Sequence, residues 1–249
     1  MQKSINKIIK TLDWSRVEAK LDKKLTLPIT VEGYKQCNLQ GGGTDGKYGY
    51  YIINECGATG KERSKMYKVD LETYEIVKTA QDFLWCHAND VTFDTKRGLL
   101  VVSHCNEDIS FVDPETLEEI EKRTLPTGGQ YAIAYEPKFN KYAIGKSRCY
   151  DIGICDENFE LLESYPGEDG HVKQGMECDE DYIYFLQTGV RYNWVWIYDW
   201  DGNYINKFRF DMVGESENLF IRGDKFIVAI NNHEEKCADI YEMTLLERA

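Results

Sequence analysis

The chain repeats itself at one fixed spacing, and this period constrains its fold more than any other feature. Acidic residues recur every 43 positions, at Asp70, Asp113, Asp156, Asp199 and Glu242. They stand in similar frames that are typical of tight turns between strands, for example residues 69–73 and 112–116. Self-similarity at about 40–50 residues indicates an array of supersecondary units.

A second series of turn-forming residues precedes the first, and an aromatic or aliphatic run follows each of its members. These members are Asp45, Asp94, Glu136, Asp179 and Arg222. One repeat is therefore a strand, a turn, a second strand, a loop, a third strand, an acidic turn and a fourth strand. Four strands in ~43 residues match one blade of a β-propeller. The sequence predicts an all-β, five-bladed β-propeller with four-stranded blades.

The fifth repeat lacks its fourth strand, because the chain ends soon after the third strand, at residues 239–245. A replacement stands at the other end of the chain, where residues 24–28 resemble the fourth-strand segment 122–126. We therefore expect residues 24–36 to complete the last blade and to close the ring without leaving an open sheet edge.

The N-terminal residues have a different pattern from the repeats. Ile5, Ile8, Ile9 and Leu12 fall at helical spacing and are followed by Val17 and Leu21. This spacing predicts a short amphipathic helix over residues 3–21. The expected organisation is a helical extension, 1–23, followed by a propeller domain, 24–249.

Charge and composition exclude several classes of partner. The formal net charge is −13, and no cluster of Lys and Arg is longer than a pair. Nucleic acid and anionic membrane surfaces attract basic stripes, so neither is an expected partner. The first ten residues lack the apolar stretch of a secretory signal, and no segment approaches the roughly 20 apolar residues of a membrane span. These features predict a cytoplasmic protein.

The cysteines predict neither a metal site nor a disulfide framework. There are eight, at Cys37, Cys56, Cys86, Cys105, Cys149, Cys155, Cys178 and Cys237. They form no C-x-x-C pair and no zinc-ligand spacing. In a reducing compartment we expect them to be thiols, mostly in the core. No cofactor is predicted.

A polar layer is expected where the innermost strands line the central channel. Each of its members lies five positions before a turn residue of the second series: Gln40, Asn89, Tyr131, Gln174 and Glu217. Convergent polar groups in a concave opening suit a small polar ligand. Glu215 lies at the same rim and is a further candidate for ligand binding.

An alternative use of the same channel is hydrolysis. Glycoside hydrolysis requires two carboxyl groups, ~5–5.5 Å apart for retention or ~6.5–9.5 Å apart for inversion. Asp90, paired with Glu177 or Glu217, is a candidate for this chemistry. His87 stands near Asp90 in the segment His-Ala-Asn-Asp and is a further catalytic candidate.

Two resemblances rest on these inner-strand segments. The order of residues 40–42, 87–90, 174–177 and 215–218 resembles bacterial TolB-like and YncE-like propellers, a likeness that covers residues 38–245 and implies the fold. Asn89-Asp90 and Glu177-Cys178 are also similar in type to nucleophile and acid/base motifs of five-bladed furanosidases, although Val91 stands in place of a proline. That second likeness implies glycosidase-like chemistry.

Three functions follow as hypotheses from the sequence. The first is an intracellular propeller that binds a small polar ligand, sugar-like or nucleotide-like, in its central funnel. The second is a hydrolase that uses paired carboxylates in the same funnel. The third is a protein-interaction scaffold whose loops and N-terminal helix hold a partner.

Overall fold

In the described part of the chain, twenty strands form five antiparallel sheets of four strands each, which are the five blades of a propeller. The computed structural model describes residues 4–31, 37–55, 63–85, 87–126, 128, 130–146, 151–167, 172–189 and 192–248. Blades 1 to 4 each use four consecutive strands, starting with β2, β6, β10 and β14. Blade 5 consists of β18, β19, β20 and, as its outermost strand, β1. The predicted fold class is confirmed.

The strand bounds are as follows. Blade 1 contains β2 (Cys37–Thr44), β3 (Tyr48–Glu55), β4 (Ser64–Asp70) and β5 (Ile76–Phe83), and blade 2 contains β6 (Ala88–Asp94), β7 (Leu99–His104), β8 (Asp108–Val112) and β9 (Glu119–Thr124). Blade 3 contains β10 (Gln130–Glu136), β11 (Lys141–Lys146), β12 (Asp151–Cys155) and β13 (Leu161–Pro166), and blade 4 contains β14 (Val172–Cys178), β15 (Tyr182–Thr188), β16 (Asn193–Asp199) and β17 (Tyr204–Phe210). Blade 5 contains β18 (Ser216–Arg222), β19 (Lys225–Asn232), β20 (Cys237–Glu247) and β1 (Val17–Pro28).

The 43-residue period has a local cause in four of the five blades. At the turn between the third and fourth strands, an aspartate Oδ1 accepts hydrogen bonds from two backbone N–H groups that follow it. The four aspartates are Asp70, Asp113, Asp156 and Asp199. A short carboxylate that reaches its own downstream backbone fixes the turn geometry, which explains its recurrence.

Glu242 continues the period but does not lie in a turn. It stands inside β20, which runs on to Glu247 because the outermost strand of blade 5 comes from the N-terminus. Its carboxylate accepts hydrogen bonds from Tyr74 of blade 1 at 2.7 Å and from Lys225 at 2.5 Å. The residue therefore links the last blade to the first.

The ring is closed by the N-terminal strand, as predicted, but with different bounds. β1 pairs antiparallel with β20 from Val17, opposite Glu247, to Pro28, opposite Cys237. The closing strand therefore begins at residue 17 instead of 24, and residues 17–23, which were assigned to the helical extension, belong to the propeller sheet. Residues 32–36 of the predicted strand lie outside the described residues.

The helix prediction over residues 3–21 is wrong beyond its first part. The helix α1 spans Ile5–Ile9, and a single 3-10 turn follows at Trp14–Arg16. Val17 and Leu21 misled the prediction because residues four apart share a face in a helix and in a strand alike. Ile5 and Ile9 are buried against blades 4 and 5.

The core lies between the blades. Buried aliphatic and aromatic side chains of neighbouring sheets interdigitate in five clusters. Asn231 on β19 adds a polar link between blades 5 and 1: its amide accepts from Leu39 N–H and donates to Leu39 C=O, both at 3.0 Å. The Asn231 amide thus makes the same pair of hydrogen bonds to the Leu39 backbone that a neighbouring strand would make. It joins blade 5 to blade 1, the two blades that meet where the ring closes.

Candidate functional site

The channel is lined by the first strand of every blade. These inner strands are β2, β6, β10, β14 and β18, and each contacts the inner strands of the two neighbouring blades. We call the end at which they begin the channel mouth. Residues at equal sequence distances from the following turn lie at comparable depths in the channel. Equivalent positions of the five repeats therefore form one level around the channel.

Every inner strand contains a β-bulge at the predicted polar layer. Strand pairing with the second strand skips Gln40, Asn89, Tyr131 and Glu217 in blades 1, 2, 3 and 5, and the register shifts across Gln174 in blade 4. A bulge inserts one extra residue and re-aims side chains, and bulges are common next to functional sites. The five predicted residues thus share a backbone feature as well as a depth.

Asp90 lies at the centre of the ring, directly after the bulge of β6. It is fully buried. Its Oδ1 accepts a hydrogen bond from Val91 N–H at 3.0 Å, and its Oδ2 accepts from Ile133 N–H at 3.1 Å and Met176 N–H at 2.9 Å. Because these donors belong to blades 2, 3 and 4, the carboxylate crosses the channel and ties three inner strands together. Burial raises the pKa of Asp90 well above its usual range, against the effect of the three backbone donors.

Glycines allow the inner strands to come this close. A Cβ on Gly41 would lie 2.3 Å from the Asn89 carbonyl oxygen, and one on Gly175 would lie 2.7 Å from Leu219 N. A side chain at either position would collide with the backbone of the next blade. The glycines at 41–43 therefore mark close strand packing near the axis.

Glu217 lies at the mouth in a hydrogen-bonded cluster with residues of blades 4 and 5. Its Oε1 accepts from Asn231 Nδ2 at 3.1 Å, and Gln174 Nε2 donates to Glu215 Oε1 at 3.0 Å. Burial raises the pKa of Glu217 well above its usual range, and the adjacent Glu215 carboxyl raises it further. Both effects disfavour the charged form of the Glu217 carboxyl.

Several buried polar atoms near the mouth have no hydrogen-bonding partner among the described residues. They are Asn38 Oδ1, Asn89 Nδ2, Gln130 Oε1, both amide atoms of Gln187, Glu217 Oε2, and both amide atoms of Asn218. All belong to the beginnings of inner strands or, for Gln187, to the neighbouring end of β15. Buried polar groups in native proteins are paired with protein, water or ligand. Unpartnered buried polar atoms are therefore concentrated at the mouth.

Glu177 lies deeper than the mouth, on the far side of Asp90 along the strand direction. Its Oε1 accepts from Cys178 N–H at 2.9 Å and its Oε2 from Ile221 N–H at 3.2 Å. Burial raises the pKa of Glu177 to about 7, and the two backbone donors act in the opposite direction. The side chain links β14 to β18, so it is held by backbone on both oxygens.

The other predicted residues are distributed around the mouth. Gln40 is buried, whereas Tyr131 and His87 are half-buried. His87 has a left-handed backbone conformation with φ 45°, and its carbonyl accepts from Cys105 N–H at 3.1 Å. Histidine tolerates this conformation better than most residues. The structure thus gives His87 a defined backbone position just before β6.

Sequence reasoning missed Asn38, Gln187, Asn218 and Asn231 as residues of the mouth. Asn218 follows Glu217 and lies four positions before the turn residue of its repeat, as do Gly41, Asp90, Ala132 and Gly175 in the other repeats. Three of these five residues are small, so the two polar ones, Asp90 and Asn218, stand out. This contrast is the signal that would have identified Asn218. Gln187 and Asn231 lie on second strands, and the alignment of inner strands contains no information about them.

Three large apolar side chains are exposed shortly before inner strands or at the start of one. These most exposed large apolar residues of the described chain are Val213 (85%), Leu84 (72%) and Val172 (60%). Val213 and Leu84 precede β18 and β6, and Val172 begins β14. They therefore belong to the end of the ring at which the inner strands begin.

The described residues also bear on metal binding, membrane insertion and the state of the cysteines. Within the described ranges no three His, Cys, Asp or Glu side chains come together as a metal site. The described part of the chain has no helix of the length and hydrophobicity required to span a bilayer. Cys155, Cys178 and Cys237 are free thiols. Cys56, Cys86 and Cys149 lie outside the described residues.

Comparison with known proteins supports the fold. No protein-family model matches the chain, and no curated protein is significantly similar to it in sequence, so neither the TolB-like and YncE-like resemblance nor the furanosidase resemblance is confirmed. Among solved structures, the chain is similar to the glutaminyl cyclase of Myxococcus xanthus, with a TM-score of 0.59 and 10% identity over 93% of this chain and 100% of that one. At this identity, the similarity shows the propeller fold alone.

Proposed function

We propose that this propeller binds a small polar ligand at the channel mouth. The observation that carries the proposal is the group of unpartnered buried polar atoms on Asn89, Asn218 and Glu217. Leaving such atoms unpaired costs about 1–3 kcal/mol each, so a molecule that satisfies several of them gains binding free energy. Their convergence on one end of the channel supports a single site.

The chemistry of these atoms favours a neutral ligand with both donors and acceptors. Asn89 offers an N–H donor, Asn218 offers a donor and an acceptor, and Glu217 offers a carboxyl oxygen, Oε2. On a chain with net charge −13, a carboxyl-lined mouth disfavours phosphate groups. A sugar-like ligand therefore fits better than a nucleotide with its phosphates, while a nucleoside keeps the required groups.

The hydrolase alternative has weaker support from the geometry. Asp90 and Glu177 bind backbone N–H groups with both oxygens, so they are held as parts of the scaffold. Glu217 is then the one predicted catalytic carboxyl with an oxygen that accepts no hydrogen bond among the described residues. A similar fold does carry an enzyme, the Myxococcus xanthus glutaminyl cyclase, but a shared fold does not transfer an activity.

The test is a thermal-shift screen of neutral sugars, nucleosides and small amides on the wild-type protein, followed by calorimetry of each hit. We expect Asn89→Ala and Gln174→Ala to weaken binding by about 1–3 kcal/mol each. Glu217→Gln keeps the shape of the side chain and an oxygen that can accept a hydrogen bond, so it should bind with nearly wild-type affinity. Asn158→Ala, at an exposed position of the turn after β12, is the matched control.

Product analysis of each hit separates binding from turnover. Turnover that Glu217→Gln abolishes while binding persists would replace the binding proposal by the hydrolase. Binding that Asn89→Ala and Gln174→Ala leave unchanged would place the ligand elsewhere. The exposed apolar side chains of Leu84, Val172 and Val213 would then become the first place to test for a partner.

A further inference from the structure

A cleft separates the outer edge of blade 4 from the start of β1. Its volume is about 360 Å³, and its walls are residues 14–19, residues 207–211, Trp194 and Arg248. It lies on the rim of the propeller and contains none of the residues of the channel mouth. Any function of this cleft is independent of the proposed ligand site.

The charge of the cleft is opposite to that of the protein. Four cationic residues line it, Arg16, Lys207, Arg209 and Arg248, against two carboxylates, Glu18 and Asp211. The chain as a whole has a formal net charge of −13. A cationic excess at one place on an acidic protein attracts an anionic partner and orients it.

Lys207 and Arg209 are fixed in position by aromatic rings. The Lys207 ammonium lies 3.9 Å from the ring centroid of Trp196 and 4.9 Å from that of Trp194, and the Arg209 guanidinium lies 4.6 Å from that of Tyr192. Stacking on aromatic faces restricts these long side chains before a partner arrives. They therefore lose less conformational entropy when a partner binds. Arg209 retains one acidic partner, Asp211, at 2.8 Å, and both side chains are substantially exposed.

The backbone beside these cations is an open strand edge. β17 is the last strand of its sheet and pairs with β16 on one side. An unpaired edge can accept an added strand, whose main-chain hydrogen bonds provide affinity while alternate side chains provide specificity. Lys207 and Arg209 are two residues apart, so they lie on one face of β17 at the same ~6.6 Å repeat as alternate residues of an added strand.

We propose that this edge binds an extended acidic peptide segment as an added strand, with carboxylates at alternate positions facing Lys207 and Arg209. The regular spacing of the two cations along an unpaired strand matches a peptide better than a compact anion. Arg16 and Arg248 belong to the other wall of the cleft, where Arg248 is paired with Glu18 at 3.0 Å, so Lys207 and Arg209 are the cations that face the added strand. Charge provides the attraction, and the strand edge provides the register.

The experiment measures fluorescence anisotropy of a labelled peptide with acidic residues at alternate positions, titrated with the full chain. We expect saturable binding that the double variant Lys207→Glu, Arg209→Glu weakens about tenfold or more, which is 1.4 kcal/mol or more. Arg123→Glu is the matched control, because Arg123 lies over Phe111 at 4.9 Å on another outermost strand, β9, and should leave binding unchanged.

Two further probes test the strand geometry and the class of ligand. A peptide of the same sequence with N-methyl groups at consecutive backbone positions keeps its charges but cannot donate strand hydrogen bonds from either edge, so its affinity should drop about tenfold. Equal binding of the methylated peptide, or of inorganic polyphosphate, would overturn the proposal in favour of unspecific attraction to cations. Absence of any binding by the unmodified peptide would overturn it as well.

Discussion

The Asp90 carboxylate and the Met176 backbone N–H are joined by a hydrogen bond of 2.9 Å across the centre of the ring. The two residues are 86 positions apart in sequence and belong to blades 2 and 4, which a third blade separates. This bond spans the gap between two blades that are not neighbours, and the companion bond to Ile133 N–H joins Asp90 to blade 3 between them. Asp90 therefore stabilises the channel geometry on which the mouth depends.

Replacing Asp90 by alanine should destabilise the protein by about 3 kcal/mol, because three buried backbone N–H groups lose their acceptor. Asp90→Asn should also destabilise, since its amide NH₂ must face at least one of these donors. Urea unfolding measures both effects. Asp201→Ala, at an exposed turn position, should change stability by less than about 0.5 kcal/mol. An Asp90→Ala variant as stable as the wild type would contradict the central role of this carboxylate.

Glu177 should make stability depend on pH between its ordinary pKa of 4.5 and its value of about 7 in the folded protein. In this interval the folded state holds a proton that the unfolded state has released, so the contribution of Glu177 to stability decreases as pH rises. The slope reaches at most about 1.4 kcal/mol per pH unit. Urea titrations from acid to neutral pH should show a flatter profile for Glu177→Gln than for wild type, whereas Glu157→Gln, at an exposed position, should follow the wild type.

Glu242 should make the stability of the protein increase with pH, opposite to the effect of Glu177, and it should do so at lower pH. Burial alone would raise its pKa, but hydrogen bonds from Lys225 and Tyr74 hold the pKa at about 2. A depressed pKa stabilises the folded state above 4.5, and this contribution is lost as pH falls towards 2. Glu242→Gln should therefore be less stable than wild type near neutral pH and should approach it in acid. Parallel profiles for the two proteins would exclude Glu242 as a charged link between blades 1 and 5.

Deleting residues 1–28 should cause aggregation, because it removes β1 and exposes the edge of β20. Deleting residues 1–13 should give a less stable monomer, since β1 remains but the buried Ile5 and Ile9 are lost. Ile5→Ala alone should cost about 2–4 kcal/mol. Size-exclusion chromatography and urea unfolding distinguish these results. A cooperatively folding, monomeric fragment of residues 37–249 would show that ring closure does not need β1.

Much of the architecture could be predicted because its causes are local. Asp70 and its three periodic counterparts fix turns through hydrogen bonds to their own downstream backbone, so each repeat contains its own turn signal. Strand order within blades 1 to 4 follows chain order. The helix prediction failed because Val17 and Leu21 satisfy both periodicities, and pairing with β20 decides between them.

The polar layer at Gln40, Asn89, Tyr131, Gln174 and Glu217 could be located by counting back from the turns, since the repeats have equal lengths there. Counting did not reveal that each position is a bulge, because a bulge is a property of two paired strands. It also missed Asn218 and Gln187, whose unpartnered amides depend on packing around the channel.

The sequence by itself determined the number of blades, the order of their strands and the depth of the polar layer, because turn chemistry and hydrophobic alternation act over a few residues. The tertiary structure alone decided what each carboxyl does. Asp90 and Glu177 bind backbone N–H groups of other blades, whereas Glu217 lies buried beside Glu215, and this burial raises its pKa. Burial and the direction of donors from distant strands set these roles, and neither is encoded in the neighbouring residues of the chain.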